Sequence, residues 1–304
     1  VTAPRAPIVV GVDGSDTARA AVAWAAHAAH LHERPLRIVS ALGAPTPYGD
    51  GIRLPQSYFV DRDRAVHTYL DDAAHIARTE APDIDTTTDV LEGPARPALL
   101  DAASSAHLIV VGSRGLGRVT AALAGSVAVA LTAHAHCPVV VVRNRAVPVV
   151  GDVLVGVDGT DNSRPALAAA FDEATLRGRT LAAVHTWSPL SMSTAFDDQL
   201  DLPWDEVEVA EQAVLAESLA GWTDRYPDTP VTRAVVRGNT AAILSERSVD
   251  AELLVVGSHG RGGFAGMLLG STSTTLLHTV SCPLMIVRTT SGRPHTADQY
   301  VTVT

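Results

Sequence analysis

Lysine is absent from all 304 residues. That gap excludes a P-loop with its Gly-Lys-Ser/Thr, the strand lysine of a protein kinase and any lysine Schiff base. Arginine is left as the only permanently cationic side chain. Cysteine occurs twice, at Cys137 and Cys282, each ahead of a proline and an apolar stretch and neither with a C-x-x-C partner. Buried thiols are therefore expected, rather than a disulfide framework or a zinc knuckle. Aromatic residues make up 4% of a chain that is 46% hydrophobic, so the core has to be built from Val, Ala, Leu and Ile. Trp24, Trp187, Trp204 and Trp222 are spaced too widely along the chain to suggest a nucleic-acid stacking platform. No apolar run approaches the length of a membrane span. The opening VTAPRAPIVVGVDGS leads straight into a strand without a signal-peptide pattern, which makes the cytoplasm the expected location. A formal charge of -10 disfavours nucleic acid and anionic membranes as partners, while leaving room for a local basic pocket.

What the chain does contain is one stretch written twice, LIVVGSRGLGRVTAALAGS at 108–126 and LLVVGSHGRGGFAGMLLGS at 253–271. Both carry the spacing G-x2-G-x9-G-S. The apolar run at 108–111 is too short for a helix and suits a strand buried on both faces, so the glycines fall where strand gives way to loop. Gly112 and Gly115, like Gly257 and Gly260, let the main chain approach a ligand closely and turn several N–H groups into one concavity, which suits an anion. Gly125-Ser126 and Gly270-Ser271 then open helices whose free N–H groups, hydroxyl and positive dipole end suit phosphate oxygens. Arg114 or His259 can add charge beside them. Tight turns and ordinary N-caps would explain one copy equally well, but two copies at one spacing favour a ligand.

The duplication is chain-wide. Asp13 and Asp158, Gly112 and Gly257, Gly125 and Gly270, Cys137 and Cys282, and Arg143 and Arg288 are each 145 residues apart. One unit is written twice, giving expected domains at 1–146 and 147–290, a boundary at 144–152 and a loose polar tail at 291–304. In the first half, strands are expected at 8–13, 36–41, 86–91, 108–111 and 139–143. Helices are expected after a Ser15 or Asp16 cap and at 58–80, 96–105 and 126–135, with a Pro/Gly-rich loop at 43–57. The second half follows suit, including a single helix over 206–225. Alternating β and α elements of this kind predict an α/β fold of two tandem doubly wound domains, each a five-stranded parallel sheet flanked by helices.

Such sheets bind ligands at the carboxyl ends of the strands, where the winding direction reverses. The first and fourth strands are expected to be neighbours there, which brings Asp13 and Asp158 to the same ligand as the glycine loops. A carboxylate in that place accepts from ribose hydroxyls or holds a metal, magnesium being the candidate. The alternative is a turn in which the Asp binds its own backbone. Gly260-Arg-Gly262-Gly-Phe-Ala265 fits the dinucleotide pattern G-x-G-x-x-A, but it follows the fourth strand rather than the first, and its partner stretch breaks the pattern at Thr120. His134 and His136 beside Cys137 have no histidine counterparts beside Cys282, so they read as helix-end residues. His27, His30 and His32 read as solvated.

IVVGVDGS and VLVGVDGT, the doubled glycine spacing, and HCPVVVVR and SCPLMIVR together resemble the universal stress proteins, in their tandem-domain, ATP-binding branch. The likeness covers the chain except its tail. It implies an adenine-nucleotide alpha-hydrolase-like fold with ATP in each domain. Gly11 and Asp13 would contact the ribose side, and Ala41 would read adenine through its backbone. Gly112, Ser113, Arg114, Gly115, Leu116, Gly117 and Arg118 would wrap the ribose and phosphates, with Gly125, Ser126 and Val127 on the phosphates. The matching positions are Gly156, Asp158 and Thr186, then Gly257, Ser258, His259, Gly260, Arg261, Gly262 and Gly263, then Gly270, Ser271, Thr272 and Ser273. No catalytic residue and no metal ligand is assigned. The halves differ at Arg114 against His259, Leu116 against Arg261 and Arg118 against Gly263, so unequal phosphate affinity is expected. Family members pair through their last strands, which implies a pseudo-dimer within one chain, and two chains can pair again as a homodimer. The implied role is a nucleotide-dependent regulator in stress or growth control that acts on a protein partner. The competing reading is a slow ATP hydrolase or nucleotidyl-transferring enzyme.

Overall fold

The computed structural model describes residues 5–43, 55–115, 124–143, 150–188, 204–261 and 268–288. Most of the Pro/Gly-rich stretch, the core of the boundary segment and the polar tail lie outside these residues. The first half runs β1 (Ile8–Gly11), α1 (Asp16–Leu31), β2 (Leu36–Ala41), α2 (Gln56–Glu80), β3 (Thr86–Leu91), α3 (Ala95–Ala103), β4 (Leu108–Gly112), α4 (Ser126–His134) and β5 (Val139–Val142). The second runs β6 (Val153–Val157), a 3-10 turn (Asp161–Ser163), α5 (Arg164–Arg177), β7 (Leu181–Trp187), α6 (Trp204–Ser218), α7 (Trp222–Arg225), β8 (Val231–Arg237), α8 (Thr240–Arg247), β9 (Leu253–Gly257), α9 (Ser271–Thr279) and β10 (Leu284–Val287).

All ten strands form one sheet in the order β3-β2-β1-β4-β5-β10-β9-β6-β7-β8. Every pairing is parallel except β5 with β10, where Val140 lies opposite Met285 in antiparallel register. The two last strands thus join the halves, as the pseudo-dimer reading expects. The central strands are aliphatic because both their faces are covered, while the edge strands β3 and β8 are mixed and partly exposed. Ile8 and Val10 face a layer containing α1, α2, α5 and α6, whereas Val9 and Ile109 face α3, α4, α8 and α9. Each fully buried Val or Leu contributes roughly 1.5–3 kcal/mol by leaving water. The alanines at 21, 25, 28 and 29 are fully buried and let α1 sit close on the sheet.

Ser15, rather than Asp16, caps α1, its Oγ accepting from the Ala18 N–H at 3.2 Å. The helix expected over 206–225 is broken after Ser218, because Gly221 takes the left-handed conformation at φ 76° and redirects the chain. The redirected turn lays Trp222 and Tyr226 on Phe171 of α5, at ring centroid distances of 5.5 and 5.1 Å. Trp187 and Trp204, far apart in sequence, meet at 6.2 Å with the Arg237 guanidinium 4.3 Å over the Trp204 ring.

His27 and His30 are exposed as expected, but His32 is not solvated. Its Nε2 lies 3.0 Å from Glu173 Oε1 of the other half. Glu173 also receives Arg177, which goes on to Glu252 at 3.1 Å, and Arg179 reaches the other Glu252 oxygen at 2.8 Å. On the opposite face of the sheet, Arg143 donates to the Leu277 carbonyl of α9 at 2.6 Å, and Arg288 donates to the Ala133 carbonyl of α4. The duplicated arginines therefore cross the seam in both directions, each reaching the last turn of a helix, where a cation is favoured. Both cysteines are buried, and burial pushes the Cys137 thiol up to about 12.

Candidate functional site

The winding direction changes between β1 and β4, so a crevice opens at their carboxyl ends. Its floor is made of small residues. By strand alternation, Gly11 and Ala41 face the same side as Val9 and Val39, toward α3 and α4. A Cβ at Gly11 would come within 3.1 Å of the Leu99 side chain, which places α3 directly over the floor, and Gly156 stands in the same relation to Leu244 of α8 at 3.0 Å.

The turn considered for the strand-end aspartates is present in both halves, and it leaves one carboxylate oxygen facing the glycine loop. Asp13 Oδ1 accepts from the Ser15 N–H at 3.1 Å and from Ser15 Oγ at 2.6 Å, which is the turn. Its Oδ2 is aimed at the glycine loop, where a Cβ on Gly115 would strike it. Asp158 repeats the turn through Thr160 N and Oγ1, both at 2.9 Å, and its Oδ2 lies 3.4 Å from where a Gly260 Cβ would sit. A Cβ at Gly115 would thus displace the Asp13 carboxylate, whereas one at Gly260 would only touch that of Asp158.

Each loop is closed at its base. The Ser113 and Ser258 carbonyls accept from the N–H groups of Gly125 and Gly270 at 2.8 Å, and Ser113 N and Ser258 N donate to Val142 and Val287 at 2.7 and 2.8 Å. This brings the starts of α4 and α9 beside the loops. Among the described residues neither helix has a side-chain cap, which leaves first-turn N–H groups facing the loops. Ser113 Oγ is buried without a hydrogen-bond partner among the described residues. In the first half, Thr17 Oγ1 donates to the Arg114 carbonyl and ties the loop to α1, while Ser15 Oγ, whose proton goes to Asp13, lies 3.3 Å from the same carbonyl. Burial, and then the charge of Arg114, lower the pKa of Arg143.

The second crevice is furnished differently. Ser273 donates its hydroxyl to the Gly257 carbonyl at 2.7 Å, and Ser258 Oγ lies 3.0 Å from His259 Nδ1. Thr186 and Thr240 share a 2.6 Å hydrogen bond where the first half has Ala41 and Ala95. Arg261 is turned away toward Glu211 of α6 and the Asp158 carbonyl. Burial would raise the Glu211 carboxyl, but the hydrogen bond with His185 and the charge of Arg261 outweigh it and hold its pKa below the usual range. Ser126 and Ser271 are exposed at the helix starts, with Val127 and Thr272 half-buried behind them. Leu116, Gly117, Arg118, Gly262 and Gly263 lie outside the described residues. Among the described residues no cluster of His, Cys, Asp and Glu is suited to a metal ion, and no helix is long and apolar enough to cross a membrane.

Residues 5–143 and 150–288 each match the Universal stress protein family. The chain belongs to the universal stress protein family. Universal stress protein Rv2623 of Mycobacterium tuberculosis is 39% identical over 289 residues, covering 92% of this chain and 96% of the relative. Universal stress protein Rv2005c of the same organism is 37% identical over 292 residues, with the same coverage. A universal stress protein from Archaeoglobus fulgidus shares the fold, with a TM-score of 0.67 and 18% identity over 94% of this chain and 97% of that one. For a member of the universal stress protein family, the sequence motifs pointed to the aspartates, glycine loops and helix starts. They did not point to the tethers that hold the loops, Thr17 in one half and Glu211 in the other. Aligning the halves with each other would have exposed those tethers as paired differences.

Proposed function

We propose that each half binds ATP in its crevice and that the chain is a nucleotide-dependent regulator in stress or growth control. The observation that carries this reading is a duplicated one: a strand-end carboxylate aimed at a glycine loop, beside a helix start without a side-chain cap. The carboxylate suits ribose hydroxyls, while the loop N–H groups and the helix dipole suit phosphates. In the first half this assigns Gly11, Asp13 and Ala41 to the nucleoside end and residues 112–118 with Gly125, Ser126 and Val127 to the phosphates. In the second half it assigns Gly156, Asp158 and Thr186, then residues 257–263 with Gly270, Ser271, Thr272 and Ser273. The units at 1–146 and 147–290 are then two nucleotide domains. A magnesium ion would be carried chiefly by the phosphates, with Asp13 or Asp158 as the nearest carboxylate. Efficient turnover is not part of the reading, because phosphoryl transfer needs a group that positions a nucleophile, and apart from Asp13 and Asp158 no such duplicated group stands at the crevices among the described residues. The output would pass to a protein partner or to a second copy of the chain.

Calorimetric titration with ATP tests the reading. Two sites are expected, and Gly115→Ala or Gly260→Ala should each weaken its own site by about tenfold or more, equivalent to ~1.4 kcal/mol. With magnesium present, no rapid release of product is expected. Unchanged affinity at both sites in both variants would remove the assignment.

A further inference from the structure

Three positions at which the halves differ come together in the second half. Ser40, Val66 and Leu116 correspond, 145 residues on, to His185, Glu211 and Arg261. In the first half Ser40 Oγ donates to the Val12 carbonyl at 2.8 Å, and Val66 is part of the apolar core. In the second half, fully buried His185 lies 2.7 Å from the Val157 carbonyl through Nδ1 and 2.7 Å from Glu211 Oε2 through Nε2. The Arg261 guanidinium is 3.4 Å from the same Glu211 oxygen and 3.4 Å from His185 Nε2. A serine, a valine and a leucine have been replaced by a connected polar set spanning β7, α6 and the glycine loop.

Arg261 follows Gly260 directly, so its main chain stands beside Asp158 while its side chain is drawn across the sheet edge to α6. In the first half the loop is held instead through the uncharged bond from Thr17 Oγ1 to the Arg114 carbonyl. The Arg261 side chain is 46% exposed and Glu211 is 19% exposed, which makes the ion pair exchangeable. Guanidinium pairs with carboxylate and with phosphate through the same fork of N–H donors.

We propose that Arg261 is a phosphate-responsive positioning residue: Glu211 and the phosphate chain of a nucleotide compete for its guanidinium. Binding in the second crevice is thereby coupled to helix α6, and binding in the first is not. The inference rests on the nucleotide reading above. A ligand shifts such an equilibrium only by its differential affinity for the two arrangements, so a triphosphate shifts it most and adenosine not at all. His185 then remains to hold Glu211 when Arg261 leaves.

The test uses the full chain carrying Gly115→Ala, which isolates the second crevice, titrated with ATP and with AMP. Glu211→Gln removes the competing charge and should tighten ATP about tenfold while moving AMP by less than about twofold. Arg261→Leu should weaken ATP about tenfold and AMP by clearly less, and it serves alone if Glu211→Gln fails to fold. Hydrogen exchange of the α6 amides should quicken when ATP is added to the parent and not when it is added to Arg261→Leu. If ATP binds the second crevice but both variants bind it as the parent does, or ATP and AMP shift alike, the competition is wrong while the nucleotide reading stands. If the unsubstituted chain binds no ATP at either crevice, the nucleotide reading fails and this inference falls with it.

Discussion

Glu173 is 2% exposed and yet charged, because His32 from the other half and Arg177 one turn along both reach it. Burial works to raise its pKa. The hydrogen bond with His32 and the Arg177 charge prevail and hold the carboxyl below its ordinary 4.5. A folded value below the unfolded one means that the stabilisation is complete above about pH 4.5 and is lost as the pH falls through the folded value. Glu173→Ala should therefore cost about 3 kcal/mol at neutral pH, because it leaves the buried Arg177 guanidinium short of a partner. Urea unfolding followed from neutral to acid pH should show that deficit shrinking. A deficit that stays constant with pH would assign the loss to packing instead of charge.

Helix α1 shows how an element and the site depend on each other. Ser15 caps the helix, bonds Asp13 and lies beside the Arg114 carbonyl. Ser15→Ala should cost about 1 kcal/mol in denaturant unfolding, the usual worth of a cap, and should also loosen the first glycine loop. Cap loss with no change in protection of the Arg114–Gly115 amides would separate the two roles. The central strands were legible because short aliphatic runs such as those at β4, β5, β9 and β10 suit buried strands in a chain with this rhythm. The strand-end glycines and aspartates were legible because the duplication repeats them at one spacing. The break at Gly221 was not, since a single glycine inside a helical pattern is usually tolerated. His32 was misread as solvated because its partner is 141 residues away and becomes a neighbour only when α1 and α5 pack. The His185, Glu211 and Arg261 set was hidden for the same reason, being contributed by three separate elements.

At the scale of the whole molecule, the seam between β5 and β10 makes one sheet of two halves. It is reinforced on one face by Arg143 and Arg288 and on the other by the Glu173 network. The intact chain is expected to unfold in one calorimetric transition. Replacing both arginines by alanine should lower its midpoint, by about 1.5 °C for each kcal/mol lost at this chain length, and begin to split the transition in two. An unaltered single transition would show that the strands and the Glu173 network suffice.

The antiparallel seam has one more consequence. Two separate polypeptides joined edge to edge come apart on dilution, as mass action requires. Here the joint is tethered by covalent chain, so the pair of crevices keeps its mutual orientation at any concentration the cell provides. Scarcity of the protein cannot undo it.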